Sequence, residues 1–453
     1  MLAALGIGLL AGYEPQLAIA AALGLAFVLL VMSSLTVGLY VFAVATFLDS
    51  LALTGTGLTL AKVLGLLLAL SWLAHLAVRG DAAKDFVSDH PAFSFVLLGF
   101  LAWVALSTVW AEDPGVSVEA LYRYALNAVL FFIVYTALRT REEAVWVVAA
   151  FLLGAVISAT YVIANPAAPK VADEGRLGGA GVNPNELAAL LVAALALASA
   201  FAAGWRRSPL VRFLAFVTIA FCVAGVVLSF SRGGLVALAV ALVAAVALGG
   251  RWRVPMIGFA GVVIVLSLGY FALFADAEQR ERITALDGGA GRTDIWAVGW
   301  RMVEVNPVGG VGAGNFPVSS VRFLLAPGAI RADKFIVDEP AVAHNMYLEL
   351  LAEEGVVGLA LFLFILGFGV VSALRAARAF GEKGDERLEL LARSVAVALI
   401  ALLAADFFGS FQFSKQLWLL LALGPALYRI SHHEDEGPQE APQPSARLAP
   451  AYG

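Results

Sequence analysis

Leu187-Ala188-Ala189-Leu190-Leu191-Val192-Ala193-Ala194-Leu195-Ala196-Leu197-Ala198-Ser199-Ala200-Phe201-Ala202-Ala203 carries no charge over its whole length. A helix needs about 17–25 apolar residues to cross the hydrocarbon core of a bilayer. Leu235–Leu248 and Val356–Val371 are equally free of charge. Of the 453 residues, 61% are apolar and 14% charged, and the mean hydropathy is +0.89. Soluble domains sit at about 45–50% apolar and about 25% charged. These values exclude a soluble globular protein and predict an integral membrane protein. The expected fold is all-α, a polytopic membrane helix bundle of about 12–14 spans with one large, partly helical loop.

The apolar pattern divides the chain into an N-terminal transmembrane bundle over 1–274, a loop with short helices over 275–354, C-terminal transmembrane helices over 355–429, and a tail over 430–453. Met1–Gly12 is apolar but short, and Glu14-Pro15 separates it from the next run. No positive residue precedes it, so it does not read as a signal peptide. The tail holds His432-His433-Glu434-Asp435-Glu436 followed by four prolines, a composition expected to stay disordered. The single cysteine, Cys222, lies in an apolar run and excludes an internal disulfide.

Charge placement sets the expected orientation. Arg79 and Lys84, Arg139 and Arg141, Arg206 and Arg207, Arg251 and Arg253, and the group Arg375, Arg378, Lys383 and Arg387 all fall on one side of the membrane if the spans are right. Basic short loops stay in the cytoplasm. The opposite side receives Glu112–Val116, Asn165–Asn183, Ser231-Arg232 and Ala275–Ala343. In the last of these, Thr293 is placed to cap a helix running to Val305, which Asn306-Pro307 stops, and a glycine-rich turn follows. A short helix is expected from near His344 to Glu354, bounded by Gly355.

Chemistry-bearing residues gather on that opposite side. His344 is its sole histidine. One reading makes it a helix-start residue packed beside Tyr347; the other makes it a general base, because imidazole titrates near neutrality. Glu349 lies on a different helix face from His344, and Asp338 and Glu339 precede it in the loop. Arg232 follows a tight Phe230-Ser231 turn and precedes Gly233-Gly234, which would let a ligand approach the backbone. It either snorkels to headgroups or binds substrate. Arg292 presents a planar donor fork suited to phosphate, or pairs with Asp294. Arg176, Asn183, Asn185 and Arg282 join this side, with helix capping as the plainer role for the two asparagines. Asp276 and Glu278 form a solvated loop start or a divalent-cation site. Gly310-x-Gly312-x-Gly314 lacks the strand-turn-helix context of a nucleotide loop. No Cys/His cluster suggests zinc, and no ATP-binding motif provides an engine for transport. A secondary transporter or flippase is the competing class, but transporters place polar residues near the bilayer midplane. A non-catalytic scaffold is the third.

The ordered set Asn183-Pro184-Asn185-Glu186-Leu187-Ala188, Ser231-Arg232-Gly233-Gly234, Gly291-Arg292-x-x-Ile295-Trp296, Asn306-Pro307-Val308-Gly309-Gly310-Val311-Gly312-x-Gly314-x-Phe316 and His344-Asn345-x-Tyr347-Leu348-x-x-Leu351-Ala352-Glu353-x-Gly355 resembles the O-antigen ligase and polymerase family. The resemblance covers roughly residues 180–370 and leaves the first 150 matched in hydropathy alone. It implies a multi-pass bacterial inner-membrane glycosyltransferase with a periplasmic active site. Such an enzyme takes an undecaprenyl-diphosphate-linked glycan donor and delivers the glycan to a lipid A–core hydroxyl, or in polymerases to another lipid-linked glycan. His344 would be the base, with Arg232 and Arg292 on the donor diphosphate, and Arg176, Asn183, Asn185, Arg282, Asn345 and Tyr347 contacting substrate. The expected reaction is inverting and metal-independent. No cofactor and no nucleic-acid partner are expected; membrane lipids are.

Overall fold

A computed structural model describes residues 12, 25, 28, 30, 31, 33–48, 59–79, 82–164, 183–273, 292–324 and 342–433. These are helical and contain no β-sheet. The order is α1 (Leu35–Ala45), α2 (Leu60–Arg79), α3 (Ala82–Asp89), α4 (Pro91–Ser107), α5 (Pro114–Ala137), α6 (Arg141–Ala164), α7 (Pro184–Gly204), α8 (Pro209–Leu228), α9 (Arg232–Leu248), α10 (Arg253–Leu273), α11 (Arg292–Val305), α12 (Phe316–Leu324), α13 (Met346–Glu382), α14 (Glu386–Ala405) and α15 (Lys415–His433). Eight candidate spans among the described residues are long and apolar enough to cross a membrane, and three shorter apolar helices accompany them. The protein is therefore an all-α polytopic membrane protein.

Proline at the first turn starts α4, α5, α7 and α8, where its missing N–H removes no helix bond. Asp113 and Asp385 cap α5 and α14 through their carboxylates. Helices in lipid gain nothing from hiding apolar surface against one another, so close packing of small residues holds them together. The alanine-rich α7 follows that rule: Ala188, Ala189, Ala193, Ala194 and Ala198 are buried as it packs between α8 and α14. At the other extreme α10 is mostly exposed along its length.

The two ends of the bundle differ in charge. At one end Arg141 pairs with Asp385 (2.9 Å) and Arg251 with Glu389 (2.6 Å). Arg206 stacks on Trp252, and Arg387 on Trp205. Arg429 donates to the carbonyls of Tyr135 and Leu138. The basic loops at Arg139, Arg206, Arg251 and Arg387 thus meet at one end, as their spacing predicted. The side chains of Arg79 and Lys84 lie outside the described residues.

The other end carries a second apolar core of Ile295, Val298, Met302, Val311, Phe316, Phe323, Leu324, Ala343 and Ala352. It ties α11 and α12 onto the start of α13. Each large side chain buried there is worth about 1.5–3 kcal/mol where the alternative is water. Helix α11 begins at Arg292, so Thr293 lies inside the helix rather than at its cap. Neither α3 nor α12 was anticipated from the sequence. Helix α15 runs through His433, past the expected boundary at 429, because Ile430 and Ser431 are buried and Lys383 Nζ donates to the Ser431 carbonyl. Residues 434–453 lie outside the described residues.

Candidate functional site

Helix α13 breaks at Gly355, whose φ of 65° and ψ of −171° belong to a region open essentially to glycine. The break frees backbone groups that a continuous helix would pair. The glycine-rich loop takes them. Val311 N–H donates to Ala352 O (2.9 Å), Gly312 N–H to Glu353 O (2.9 Å), and Val356 N–H to Pro307 O (2.9 Å). Trp103 Nε1 donates to Glu354 O. A Cβ on Gly310 would lie 2.2 Å from Glu353 O, so this loop is glycine-rich because it wraps a helix break. Glu353 completes the clamp by accepting from Phe316 N–H (3.0 Å). The turn expected at Gly355 is present, and the glycine loop serves it instead of a phosphate.

The clamp presents the nine-residue start of α13 to the end of the bundle away from the basic loops. Asn345 caps that start, its Oδ1 accepting from Tyr347 and Leu348 N–H (3.1 Å each). Met346 N–H donates to Asp406 O (2.9 Å) and Gly409 O (2.8 Å), in the loop joining α14 to α15. The Tyr347 hydroxyl donates to Leu403 O (2.7 Å), and its ring meets Phe407. Glu349, buried, accepts from Ala343 N–H (3.0 Å), Gln412 Nε2 (2.8 Å) and Ser410 Oγ. Trp296 Nε1 donates to Ala343 O (2.9 Å), which sets α11, and with it Arg292 one turn earlier, against the residue preceding His344.

Helices α7 and α9 bring the remaining pieces. Asn183 caps α7 by accepting from Asn185 N–H (2.9 Å). Ser231 caps α9 by accepting from Gly234 N–H (3.1 Å), while its hydroxyl donates to Asn185 Oδ1 (2.7 Å). A Cβ on Gly233 would sit 3.0 Å from Phe408 Cβ, so the first turn of α9, where Arg232 lies, rests on the α14–α15 loop. Glu186 and Asp406 line one small cavity with Phe411 and Ser414. Burial, and then the Glu186 charge, push the Asp406 carboxyl well above the ordinary carboxylate range.

His344, Asn345, Tyr347, Asn183, Asn185, Arg232 and Arg292 therefore sit on elements that converge at one end, around the loop 406–414. Arg176 and Arg282 lie outside the described residues, as do Asp276, Glu278, Asp338 and Glu339. His344, Arg232 and Arg292 are each half-buried. Two non-glycine residues among those described hold positive φ: Phe230 (46°), just before the Ser231 cap, and His344 (50°). Such conformations cost about 1–3 kcal/mol and gather at functional sites. Among the described residues no group of three or more His, Cys, Asp or Glu side chains is arranged to hold a metal ion.

An open cleft of about 510 Å³ lies at the same end, lined by Trp110, Glu112, Asn306, Gly309, Ser319 and Arg322. A narrower apolar cavity bounded by Trp252 and Arg393 belongs to the basic end and is remote from these residues.

Comparison with known proteins finds similarity over part of the chain. The family model described as O-Antigen ligase matches residues 217–363, which hold Arg232, Arg292, the glycine clamp and His344. The O-antigen ligase of Pseudomonas aeruginosa is 29% identical over 296 residues, 62% of this chain. Over these residues the chain is similar to O-antigen ligases. The match spans 65% of that relative's length, short of two thirds.

Two features of this chain are not legible in its sequence. The loop Asp406-Phe407-Phe408-Gly409-Ser410-Phe411-Gln412-Phe413-Ser414 is the hub on which α5, α7, α9 and α13 meet. Its alternation of aromatic and polar residues between two apolar runs was the available signal. Glu349 was discounted because it faces away from His344 along the helix. Its carboxylate accepts from the Ala343 N–H just ahead of His344, a contact that periodicity cannot reveal.

Proposed function

We propose that this protein is a member of the O-antigen ligase family and moves a glycan from an undecaprenyl-diphosphate carrier to an acceptor hydroxyl at the periplasmic face of a bacterial inner membrane. The observation that carries this reading is the convergence of the His344, Arg232 and Arg292 segments at the end opposite the basic loops. Basic loops stay cytoplasmic, which puts the converging end outward.

The acceptor O–H attacks the anomeric carbon as its proton passes to His344. The new C–O bond forms while the bond to the diphosphate breaks, and the electron pair leaves with the undecaprenyl diphosphate. A neutral imidazole suits that proton transfer, worth about 10²–10⁴ in rate. Arg232 and Arg292 hold the diphosphate, whose charge grows as the bond breaks, so they favour the transition state over the ground state. A single displacement inverts the anomeric centre and uses no metal. Asn183, Asn185, Asn345 and Tyr347 act through the walls they fix rather than as free donors. Arg176 and Arg282 would add positive charge from the outer loops. The cleft at Trp110, Glu112 and Arg322 offers aromatic and polar groups to the glycan.

A ligase acting on the lipid A–core is favoured over a polymerase because the curated relative is an O-antigen ligase. A transporter is disfavoured because the polar groups gather at one end rather than at mid-membrane. The test is glycan transfer by purified protein in vesicles, with lipid A–core or a second lipid-linked glycan as acceptor. The wild type should transfer to lipid A–core and a His344→Ala variant should lose at least a hundredfold, in line with about 10²–10⁴ for a base. Full transfer by His344→Ala would remove the base, and elongation of lipid-linked glycan alone would make the chain a polymerase.

A further inference from the structure

We propose that Glu349 is a positioning residue for His344, acting through the backbone of Ala343, with Ser410 and Gln412 completing the device. This rests on the reading of His344 as the base.

His344 holds a left-handed backbone with φ at 50°. A residue with a side chain keeps that conformation where both of its flanks are fixed by their surroundings. The following flank is held by the Asn345 cap and by Met346 N–H, which donates to Asp406 O and Gly409 O. The preceding flank is Ala343, held through the two peptide units that meet at it. Its carbonyl accepts from Trp296 Nε1 (2.9 Å), and its N–H donates to Glu349 Oε2 (3.0 Å). Glu349 is thus one of two side chains among the described residues that hold the backbone of Ala343, from which the chain enters His344.

Glu349 is itself tightly defined. It is 4% exposed and forms no ion pair among the described residues. Its carboxylate instead collects three donors: Ala343 N–H, Ser410 Oγ–H and Gln412 Nε2–H. A buried carboxylate needs such donors in place of water. Two of the three come from the α14–α15 loop, which also receives Met346 N–H. The same loop therefore governs both flanks of His344, one through Glu349 and one directly. Gln412 adds a detail that makes the device testable. Its Oε1 is buried without a partner, while its backbone carbonyl accepts from Trp418 Nε1. Among the described residues, the Gln412 amide is oriented by the carboxylate alone.

Exchanging the two groups preserves every hydrogen bond. In a Glu349→Gln/Gln412→Glu variant the amide oxygen at 349 accepts from Ala343 N–H and Ser410, and its NH₂ donates to the carboxylate at 412. Glu349→Ala removes the acceptor for Ala343 N–H altogether.

The experiment measures three quantities on full-length protein in lipid nanodiscs: kcat and donor KM for glycan transfer, the thermal unfolding midpoint, and the rate at which diethyl pyrocarbonate modifies His344, read by mass spectrometry with His75 as internal reference. Glu349→Ala should lower kcat more than tenfold with donor KM within about twofold, and change the His344 modification rate at least threefold while His75 is unchanged. The exchanged double variant should return both kcat and the His344 rate to within about threefold of wild type. Should Glu349→Ala fail to fold, the double variant against Glu349→Gln alone supplies the same comparison. Unchanged His344 reactivity and kcat in Glu349→Ala would overturn the proposal, as would a loss that the double variant does not recover. An active His344→Ala protein would defeat the base reading alone, since the modification rate of His344 would still decide whether Glu349 positions it.

Discussion

The backbone N–H of Met346 donates to the carbonyl of Asp406 across 2.9 Å, and so joins the first turn of α13 to the residue that caps the end of α14. The first N–H groups of a helix have no partner within it. Here the partner comes from a loop 60 positions later, shared with Gly409 O. That bond places the Asn345–Met346 peptide, one residue past His344, beside the loop whose Phe408 supports the first turn of α9. One short loop thereby joins the proposed base to the helix that carries Arg232.

Asp406 gives a pH signature to this junction. Burial raises its pKa well above the ordinary carboxylate range, and the Glu186 charge raises it further. With a raised folded-state pKa, the stabilising contribution is complete below the unfolded value, about 3.9, and is lost as pH rises through the folded one. Each unit of difference corresponds to about 1.4 kcal/mol. The thermal midpoint of the wild type should fall on going from mildly acidic to alkaline buffer, and Asp406→Asn should flatten that dependence. Parallel profiles for the two proteins would show that the Asp406 carboxyl is not held protonated.

Gly355→Ala tests the clamp. The backbone there lies where a Cβ is disfavoured by about 1–3 kcal/mol, and the added methyl would meet Val308 O at 2.0 Å. The glycine loop must move or α13 must straighten through the break. Either response disturbs the bonds to Val311, Gly312 and Val356 and shifts the start of α13. The expected result is destabilisation by more than about 3 kcal/mol in a detergent unfolding assay, together with loss of transfer. A variant as stable as wild type would mean that the loop yields without cost.

The sequence made the membrane helices legible because lipid demands long uncharged runs, and Leu187–Ala203 is one. It also made the two ends legible, since basic residues recur in alternate loops. Gly355 and the Asn183 cap were readable from local turn chemistry. What escaped were contacts between distant positions. Ser410 and Gln412 lie 61 and 63 residues from Glu349, and Asn315 lies 202 from Asp113, whose backbone N–H donates to its side chain. No periodic pattern encodes such pairs. Helix α12 was hidden because its nine residues are short and partly polar, and its helicity follows from the Glu353 bond to Phe316 N–H and from burial of Phe316 and Phe323.

Ser231→Ala should separate a helix cap from a site contact. The Ser231 hydroxyl accepts from Gly234 N–H and donates to Asn185 Oδ1. Loss of an N-cap costs about 0.5–2 kcal/mol. The variant should unfold earlier by that amount, and donor KM should rise because the first turn of α9 carries Arg232. Ser231→Thr keeps the hydroxyl and should recover most of the stability. If KM stays at the wild-type value while stability falls, the cap serves the fold and leaves the donor site untouched.

Arg292→Lys asks whether geometry or charge alone matters at the start of α11. Lysine keeps the positive charge but replaces a planar fork with a point ammonium that cannot bond two diphosphate oxygens in parallel. The helix itself should survive, since its anchors are Ile295, Val298 and Met302 in the apolar core and Trp296 on Ala343 O. Transfer should therefore fall more than tenfold with an unchanged thermal midpoint, about 1.4 kcal/mol or more of lost transition-state stabilisation. Arg301→Lys offers a control on the same helix, because Arg301 donates to Phe323 O and does not belong to the proposed site. Equal turnover of Arg292→Lys and wild type would take Arg292 out of diphosphate binding and leave Arg232 to hold the leaving group.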